Sequence, residues 1–359
     1  MSPRRSMREL VSARGLKEVL PARGRVLIIP HDYPDPDALA SAAALHLLLD
    51  RAYHVRSSIL FSGMVNRPEN QELLRHFRYH WRRLQDFQPP SKRVAAIFLD
   101  VWPGSGNVTI APWIRPIGVI DHHPPPTRNP PSDWFIEVRP GIGATATLLH
   151  EKLRAAGVIP PPWLAAILAY AIETETLAFT RPSTSNDRAA YTELITRANL
   201  RIIGAIRNAP LPQRHVNQLR EALANARLHA NAAWSHLSAE ASPEVVAEVS
   251  DLLLRLERVS WSFCTGIQGD VLWVSVRGER RDAQCGRIVR EALQNGGQGG
   301  GHDRMAAGYV SLRGLDDTQR QERVRQLQIS LLRRMIPRKL PSDPDDHEGV
   351  GRSIAEWGR

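Results

Sequence analysis

Three short apolar runs in the first part of the chain each end in an acid or a histidine, and this punctuation constrains the fold more than any other feature. Val26-Leu27-Ile28-Ile29 leads into His31-Asp32-Tyr33-Pro34-Asp35-Pro36-Asp37, Ala95-Ala96-Ile97-Phe98-Leu99 ends at Asp100, and Pro116-Ile117-Gly118-Val119-Ile120 ends at Asp121-His122-His123. Runs of this length bounded by polar turns read as buried strands. In an open parallel sheet the carboxyl ends of the strands share one edge, where ligands bind. Groups about ninety residues apart in the chain can therefore converge.

The stretches between these runs carry helical patterns. Residues 38–52, 70–87, 143–156 and 163–175 read as helices, and residues 55–61 and 134–138 as further strands. Such alternation predicts the α/β class, with a parallel sheet and helices on both faces. Residues 187–237 read as helical only, broken at Pro210 and Pro212, with 213–236 as one long connecting helix and a domain boundary nearby. Beyond it, residues 259–267 and 271–276 flank Gln268-Gly269-Asp270, a hairpin signal. A helix at 283–293, a glycine run at 296–301, a strand at 305–312 and a helix at 318–335 complete a smaller α/β unit. Residues 337–359, rich in Pro, Asp, Gly and Arg, read as a disordered tail. There is no internal repeat.

Composition excludes several classes. At 359 residues the chain is long for one domain and suits two. The longest apolar stretch, residues 163–172, is far short of the ~20 residues of a membrane span. The basic start Met1-Ser2-Pro3-Arg4-Arg5 leads into an amphipathic segment rather than a signal-peptide core, so a cytoplasmic location is expected. Cys264 and Cys285 are too few for a disulfide framework or a thiolate zinc site. A formal charge of +10 favours a phosphate-bearing partner such as nucleotide or nucleic acid. The competing explanation is a solvated surface shaped by an Arg-rich composition.

Divalent cations need carboxylate oxygen and imidazole nitrogen at about 2.0–2.3 Å, and a pair of cations needs five to seven such groups on one edge. His31, Asp35, Asp37, Asp100 and His122 supply five. Each alone has an ordinary explanation: Asp37, for example, suits the N-terminus of the helix that follows. Their coincidence at three strand ends points to a metal centre. Trp102 and Trp113 suit packing better than base stacking.

These motifs carry a resemblance. The order His-x-x-x-Asp-x-Asp-Ala at 31–38, the strand-final Asp100 and Asp121-His122-His123 resemble the DHH phosphoesterase superfamily. Gly299-Gly300-Gly301-His302 followed by Ala306-Ala307-Gly308 is similar to the signature of its DHHA1 domain. The match runs from about Val26 to Leu312 and is nearest the compact nanoRNase and phosphoadenosine-phosphate phosphatase group, which lacks the extra domains of RecJ-type exonucleases. The resemblance implies a DHH domain at 1–205, a helical linker at 206–240, a DHHA1 domain at 241–336 and a tail at 337–359. It implies two Mn²⁺ or Mg²⁺ per site, one on His31, Asp35 and Asp100, the other on Asp37, Asp100, His122 and the acid of a fourth motif. That motif is Gly-Ile-x-x-Asp-Thr-x-x-Phe in the family and Ala171-Ile172-Glu173-Thr174-Glu175-Thr176-Leu177-Ala178-Phe179 here, so Glu175 stands where the family has Asp. The extra methylene is absorbed if the backbone retracts or the carboxylate binds bidentately; the alternative for Glu175 is a helix-surface acid.

On the same resemblance Asp100 bridges the cations, Asp121 orients a histidine and His123 contacts a phosphoryl oxygen, with His122 completing the catalytic group. Water activated between the cations attacks phosphorus. Arg277, Gly299, Gly300, Gly301 and His302 are expected to bind substrate phosphate. The small-residue turn Gly143-Ala144-Thr145-Ala146-Thr147 reads as a plain helix N-cap. The expected partners are short single-stranded RNA or DNA oligonucleotides or nucleotides, with no membrane and with a homodimer allowed. The leading reading is a two-metal hydrolase of short oligonucleotides or phosphoadenosine phosphate. The alternatives are a cyclic or linear dinucleotide phosphodiesterase, and a degenerate protein that binds nucleotide or nucleic acid without hydrolysis. The Gly299–His302 signature disfavours a pyrophosphatase, which carries a different second domain.

Overall fold

The apolar runs become strands where β-branched residues concentrate, and the order in which they pair decides what meets at the sheet edge. The computed structural model describes residues 9–12, 14–126, 129–238, 240–280, 282–294, 296–301, 303–336 and 352–353. The chain divides into two units, Met1–Pro210 and Leu211–Arg359. In the first, β1 (Leu10–Val11), α1 (Leu16–Val19), β2 (Arg25–Pro30), α2 (Pro36–Tyr53), β3 (Arg56–Phe61) and α3 (Pro68–Arg75) come first. They are followed by β4 (Trp81–Arg83), β5 (Val94–Leu99), β6 (Ile114–Asp121), β7 (Phe135–Val138), α4 (Thr145–Ala155), α5 (Pro162–Glu175), α6 (Ser185–Arg197) and α7 (Leu200–Arg207).

The sheet order is β1-β7-β6-β5-β2-β3-β4. Among the described residues only β1 runs antiparallel to its neighbour. The three strands with acid or histidine ends, β6, β5 and β2, are thus adjacent. Pro30 pairs with Leu99, and Leu99 with Ile120, so the next residues, His31, Asp100 and Asp121, leave the sheet in one row.

Side chains alternate between two cores. Val26, Ile28, Ile97 and Leu99 face one cluster, which includes buried residues of α2, α4, α5, α6 and α7. Leu27, Ile29, Ala96 and Phe98 face another, which holds no buried α-helical residue. The α/β class and the parallel sheet match expectation, but the helices cover one face rather than both. The cause is the connections after β5 and β6. Pro103, Gly104, Gly106 and Pro112, then Pro124, Pro125, Pro126, Pro130 and Pro131, are incompatible with crossover helices. Loops carrying Trp102, Trp113 and Trp134 cover that face instead, so Trp102 and Trp113 pack as expected.

A second departure is at residues 70–87. The helix stops at Arg75, and the aromatic tract beyond it turns extended, as aromatic residues favour. Trp81 joins β4 and stacks on Phe61 at 4.9 Å.

The second unit contains α8 (Gln213–Ala224), β8 (Arg227–His229), β9 (Ala232–Leu237), α9 (Pro243–Leu254), β10 (Trp261–Gln268), β11 (Val271–Gly278), α10 (Cys285–Ala292), β12 (Gly297–Gly301), β13 (Met305–Ser311), α11 (Asp317–Met335) and β14 (Arg352–Ser353). The expected long helix over 213–236 ends at Ala224. Asn225 caps it, and a hairpin turning at Ala230, with φ 54°, adds β8 and β9 to the sheet. The order is β12-β13-β11-β10-β9-β8-β14, with β9 and β10 the one parallel pair among the described residues. Of the expected tail, residues 337–351 and 354–359 lie outside the described residues, while Arg352–Ser353 pairs with β8. Among the described residues, no helix is long and apolar enough to cross a membrane.

Candidate metal centre

Adjacent strands stand ~4.8 Å apart, so residues leaving three neighbouring strand ends arrive within ligand reach of one another. His31 Nδ1 is 2.8 Å from the Asp32 carbonyl oxygen, which can only accept, so Nδ1 donates and, in the neutral ring, the lone pair is on Nε2. That Nε2 lies 3.7 Å from both Asp35 Oδ1 and Asp100 Oδ2. Asp35 N-caps α2, its Oδ1 accepting from the Ala38 N–H at 2.9 Å, and Pro36 supplies the preset first helical residue.

Asp100 is the hub. Its backbone is left-handed, φ 57°, and its N–H donates to the Ile120 carbonyl at 3.0 Å. Oδ1 lies 3.4 Å from both His122 Nε2 and His123 Nδ1 and accepts the Thr145 hydroxyl at 2.8 Å. Two triads of ligand-type atoms therefore share it: His31, Asp35 and Asp100, and Asp100, His122 and His123, the atoms of each within 4.8 Å of one another.

The decisive atom is His122 Nε2. Nδ1 of this ring is held by the Ile142 carbonyl at 3.2 Å, which leaves the lone pair on Nε2. Nε2 is buried without a hydrogen-bond partner. A buried imidazole nitrogen is seldom left so, and one facing Asp100, with Asp37 Oδ2 at 4.0 Å, has the placement of a metal ligand. The donor set of imidazole nitrogen and carboxylate oxygen fits a divalent cation of the Mn²⁺ or Mg²⁺ kind.

The remaining expected residues sit as follows. Asp37, only 1 % exposed, accepts the Thr145 N–H at 2.7 Å and the Ala146 N–H at 2.8 Å. It thereby caps the first turn of α4 from another helix, at the positive end of that helix dipole. Asp121 accepts from the His123 N–H at 2.8 Å and lies 2.9 Å from His123 Nδ1, so the histidine it orients is His123. Glu175 closes α5 and pairs with Arg181 Nη1 at 3.4 Å. It lies outside both tight triads but within electrostatic reach of Asp35, Asp37 and Asp100. Immediately after it, Leu177, Ala178 and Phe179 are all left-handed, with φ 47°, 52° and 66°. This costly turn returns Arg181 to Glu175.

Burial and crowding of charge shift several of these groups. Burial opposes ionisation of Asp100, yet the imidazoles of His123, His122 and His31 hold its carboxyl well below the usual range. Burial would lower His31, but Asp35 and Asp100 outweigh it and push it up to about 9. His123 is likewise raised against burial by Asp100 and Asp121, whereas burial and then His123 depress His122. Burial followed by the neighbouring carboxylates raises Asp37 well above normal and Glu175 to about 8. The carboxylates crowded on this edge repel one another, and a cation relieves that repulsion.

No family model matches the chain. An uncharacterised protein of Methanocaldococcus jannaschii is 29% identical over 288 residues, which make up 80% of this chain and 58% of that protein. A probable manganese-dependent inorganic pyrophosphatase of Streptococcus pyogenes is 22% identical over 179 residues, 50% of this chain and 57% of that one. The chain thus spans less than two thirds of either relative. An exopolyphosphatase-related protein from Bacteroides fragilis has the same fold, with a TM-score of 0.65 at 17% identity over 86% of this chain and 91% of that chain.

The expected phosphate-binding residues belong to the second unit. Arg277, on β11, donates through Nε to Asp251 at 2.5 Å and through Nη1 to the Ser275 hydroxyl at 2.7 Å. Gly299, Gly300 and Gly301 do not form a loop. They lie in the edge strand β12, paired to β13. A Cβ on Gly299 would meet Val289 at 2.6 Å, and one on Gly286 would meet the Gly301 carbonyl at 2.3 Å, so these glycines let α10 pack directly on the strand. His302 lies outside the described residues.

Three residues escaped the sequence reading. Thr145, read as part of a plain N-cap, touches Asp100 through its hydroxyl and Asp37 through its N–H, while the N-cap position itself is Ala144. Asp187, fully buried, accepts from Gly143 N–H at 2.9 Å, the Thr147 hydroxyl at 2.7 Å and Thr184 N–H at 2.7 Å, fixing that turn. Its signal was the capping box Thr184-x-x-Asp187. Arg181 had no local signal, because its contact depends on the left-handed turn.

Proposed function

We propose that this chain is a divalent-metal-dependent phosphoesterase acting on short oligonucleotides or phosphoadenosine phosphate. The observation that carries the reading is the meeting of His31, Asp35, His122 and His123 on Asp100, with His122 Nε2 buried and unpartnered. The phosphate chemistry in the names of the pyrophosphatase and exopolyphosphatase-related relatives supports it. His31, Asp35 and Asp100 would hold one cation, and Asp100 and His122, with Asp37 and Glu175, a second. When bound, such a pair acidifies water and offsets charge on a phosphoryl group. Thr145 fixes the rotation of Asp100, and Asp121 fixes that of His123. His123, kept positive by Asp100 and Asp121 and about one-third exposed, donates to a phosphoryl oxygen. Arg277 and the Gly299–Gly301 backbone would bind further phosphate, and the net charge of +10 suits a polyanion.

The test is a Mn²⁺-supplemented panel of two- to five-residue RNAs, phosphoadenosine phosphate, linear and cyclic dinucleotides, and pyrophosphate. Turnover of the short RNAs or phosphoadenosine phosphate above the others is the expected result. Exclusive turnover of pyrophosphate, or none of any substrate, defeats the reading.

A further inference from the structure

We infer that Tyr33 is a stacking platform for the nucleobase of the substrate. The inference rests on the phosphoesterase reading of the same site and names the part of the substrate recognised beyond its phosphate. Tyr33 stands between His31 and Asp35, both members of one ligand triad. Its backbone is left-handed, φ 55°, a conformation that asparagine or glycine adopts far more readily than an aromatic residue. Two anchors hold it there. The Tyr33 N–H donates to the Ser62 carbonyl at 3.0 Å, and the ring lies against Gly63, where an added Cβ would sit 2.8 Å from Tyr33 Cδ1.

The rest of the loop is equally fixed. Asp32 accepts the Thr109 hydroxyl at 2.6 Å and the Thr109 N–H at 3.1 Å, its own N–H donates to the Asn107 carbonyl at 2.8 Å, and Pro34 is buried. Strain held in place by its surroundings beside a reactive centre points to a task for the side chain. Tyr33 as a residue remains 38% exposed. A rigid ring fixed on the loop that carries His31 and Asp35 matches a ligand that joins phosphate to a flat π-system, and stacking accepts any base.

Calorimetric titration in Mn²⁺ with AMP and with ribose 5-phosphate isolates the base, since the two share sugar and phosphate. Wild type is expected to bind AMP about tenfold tighter than ribose 5-phosphate, the scale of one base-on-aromatic stack. Tyr33→Phe keeps that ratio. Tyr33→Asn, which suits the left-handed backbone, brings it near one while ribose 5-phosphate affinity stays unchanged; Tyr33→Leu does the same, providing a second variant should Tyr33→Asn fold poorly. A wild-type ratio near one, or a ratio unchanged in both variants, overturns the inference, as does a parallel loss of affinity for both ligands. These are binding readouts, so failure of the hydrolysis panel and failure of the stacking platform are distinguishable.

Discussion

The sheet edge of the first unit and the glycine-rich edge of the second both carry residues expected to handle phosphate, yet they treat their polar groups in opposite ways. In the first, His122 Nε2 is buried without a partner and the carboxyls of Asp37 and Glu175 are pushed far above their normal range. In the second, the Arg277 guanidinium is engaged by Asp251 and Ser275, and two of the three expected glycines are accounted for by close contacts around α10. A binding site keeps polar capacity that the fold itself does not satisfy. By that measure the first edge is built around something it must bind, whereas the second would be equally stable as plain scaffold.

The sharpest way to break this contrast is Asp100→Asn. Losing a group that merely orients a metal ligand costs about 10–100-fold, and Asp100 belongs to both triads. The variant should lose more than 100-fold in kcat and in Mn²⁺ affinity, measured by turnover and calorimetry. Retained activity would remove the first edge's claim. Thr145→Val comes next. It deletes the 2.8 Å hydrogen bond to Asp100 but keeps the backbone N–H that holds Asp37, so Mn²⁺ affinity should drop about tenfold with little change in Tm.

How legible each edge was in the sequence follows from the same difference. Strand-final Asp100 and Asp121 could be placed because apolar runs set strand ends and parallel pairing brings the ends together. Thr145 and Asp187 could not, because their contacts, to Asp100 and to the Gly143 turn, depend on how α4 and α6 seat on the sheet. The loop-covered face follows from the prolines after β5 and β6, which remove the crossover helices that strand alternation alone predicts. In the second unit the glycine run read as a phosphate-binding segment rather than an edge strand because composition does not register that Gly299 must pass under Val289. Strands β8 and β9 were absorbed into a helix because Ala-rich Ala232-Ala233 carries little strand propensity of its own.

Protonation offers a smaller test confined to the first edge. His31 is raised to about 9 and Glu175 to about 8 in the folded chain, against 6.5 and 4.5 when unperturbed. Each binds its proton more tightly when folded, so its stabilisation is complete below the unperturbed value and is lost as pH rises through the folded one. Asp37 and His123, also raised, act in the same direction; depressed His122, with His46 and His236 elsewhere, opposes them, and the lowered Asp35 and Asp100 lose their contribution only as pH falls below their unperturbed value of 3.8. In EDTA the Tm should fall between about pH 5 and pH 9. Mn²⁺ should reverse the trend, because a cation binds the deprotonated carboxylates better at high pH. A flat Tm profile in EDTA would mean that the cluster is not strained by its own charge.

The smallest expected effect comes from Gly300→Ala, which tests whether the second edge is more than scaffold. A Cβ at Gly300 meets nothing within 4 Å, unlike one at Gly299 or Gly301. Gly300→Ala should therefore leave Tm within the range of a neutral surface change, about 0.5 kcal/mol, while Gly299→Ala, whose Cβ would collide with Val289 and Leu293, should destabilise by about 1–3 kcal/mol. Neither fold nor packing requires glycine at position 300, so any demand for it comes from a ligand approaching the backbone. A few-fold rise in KM for Gly300→Ala, with kcat unchanged, would show that the edge strand touches substrate. An unchanged KM would leave β12 as structure.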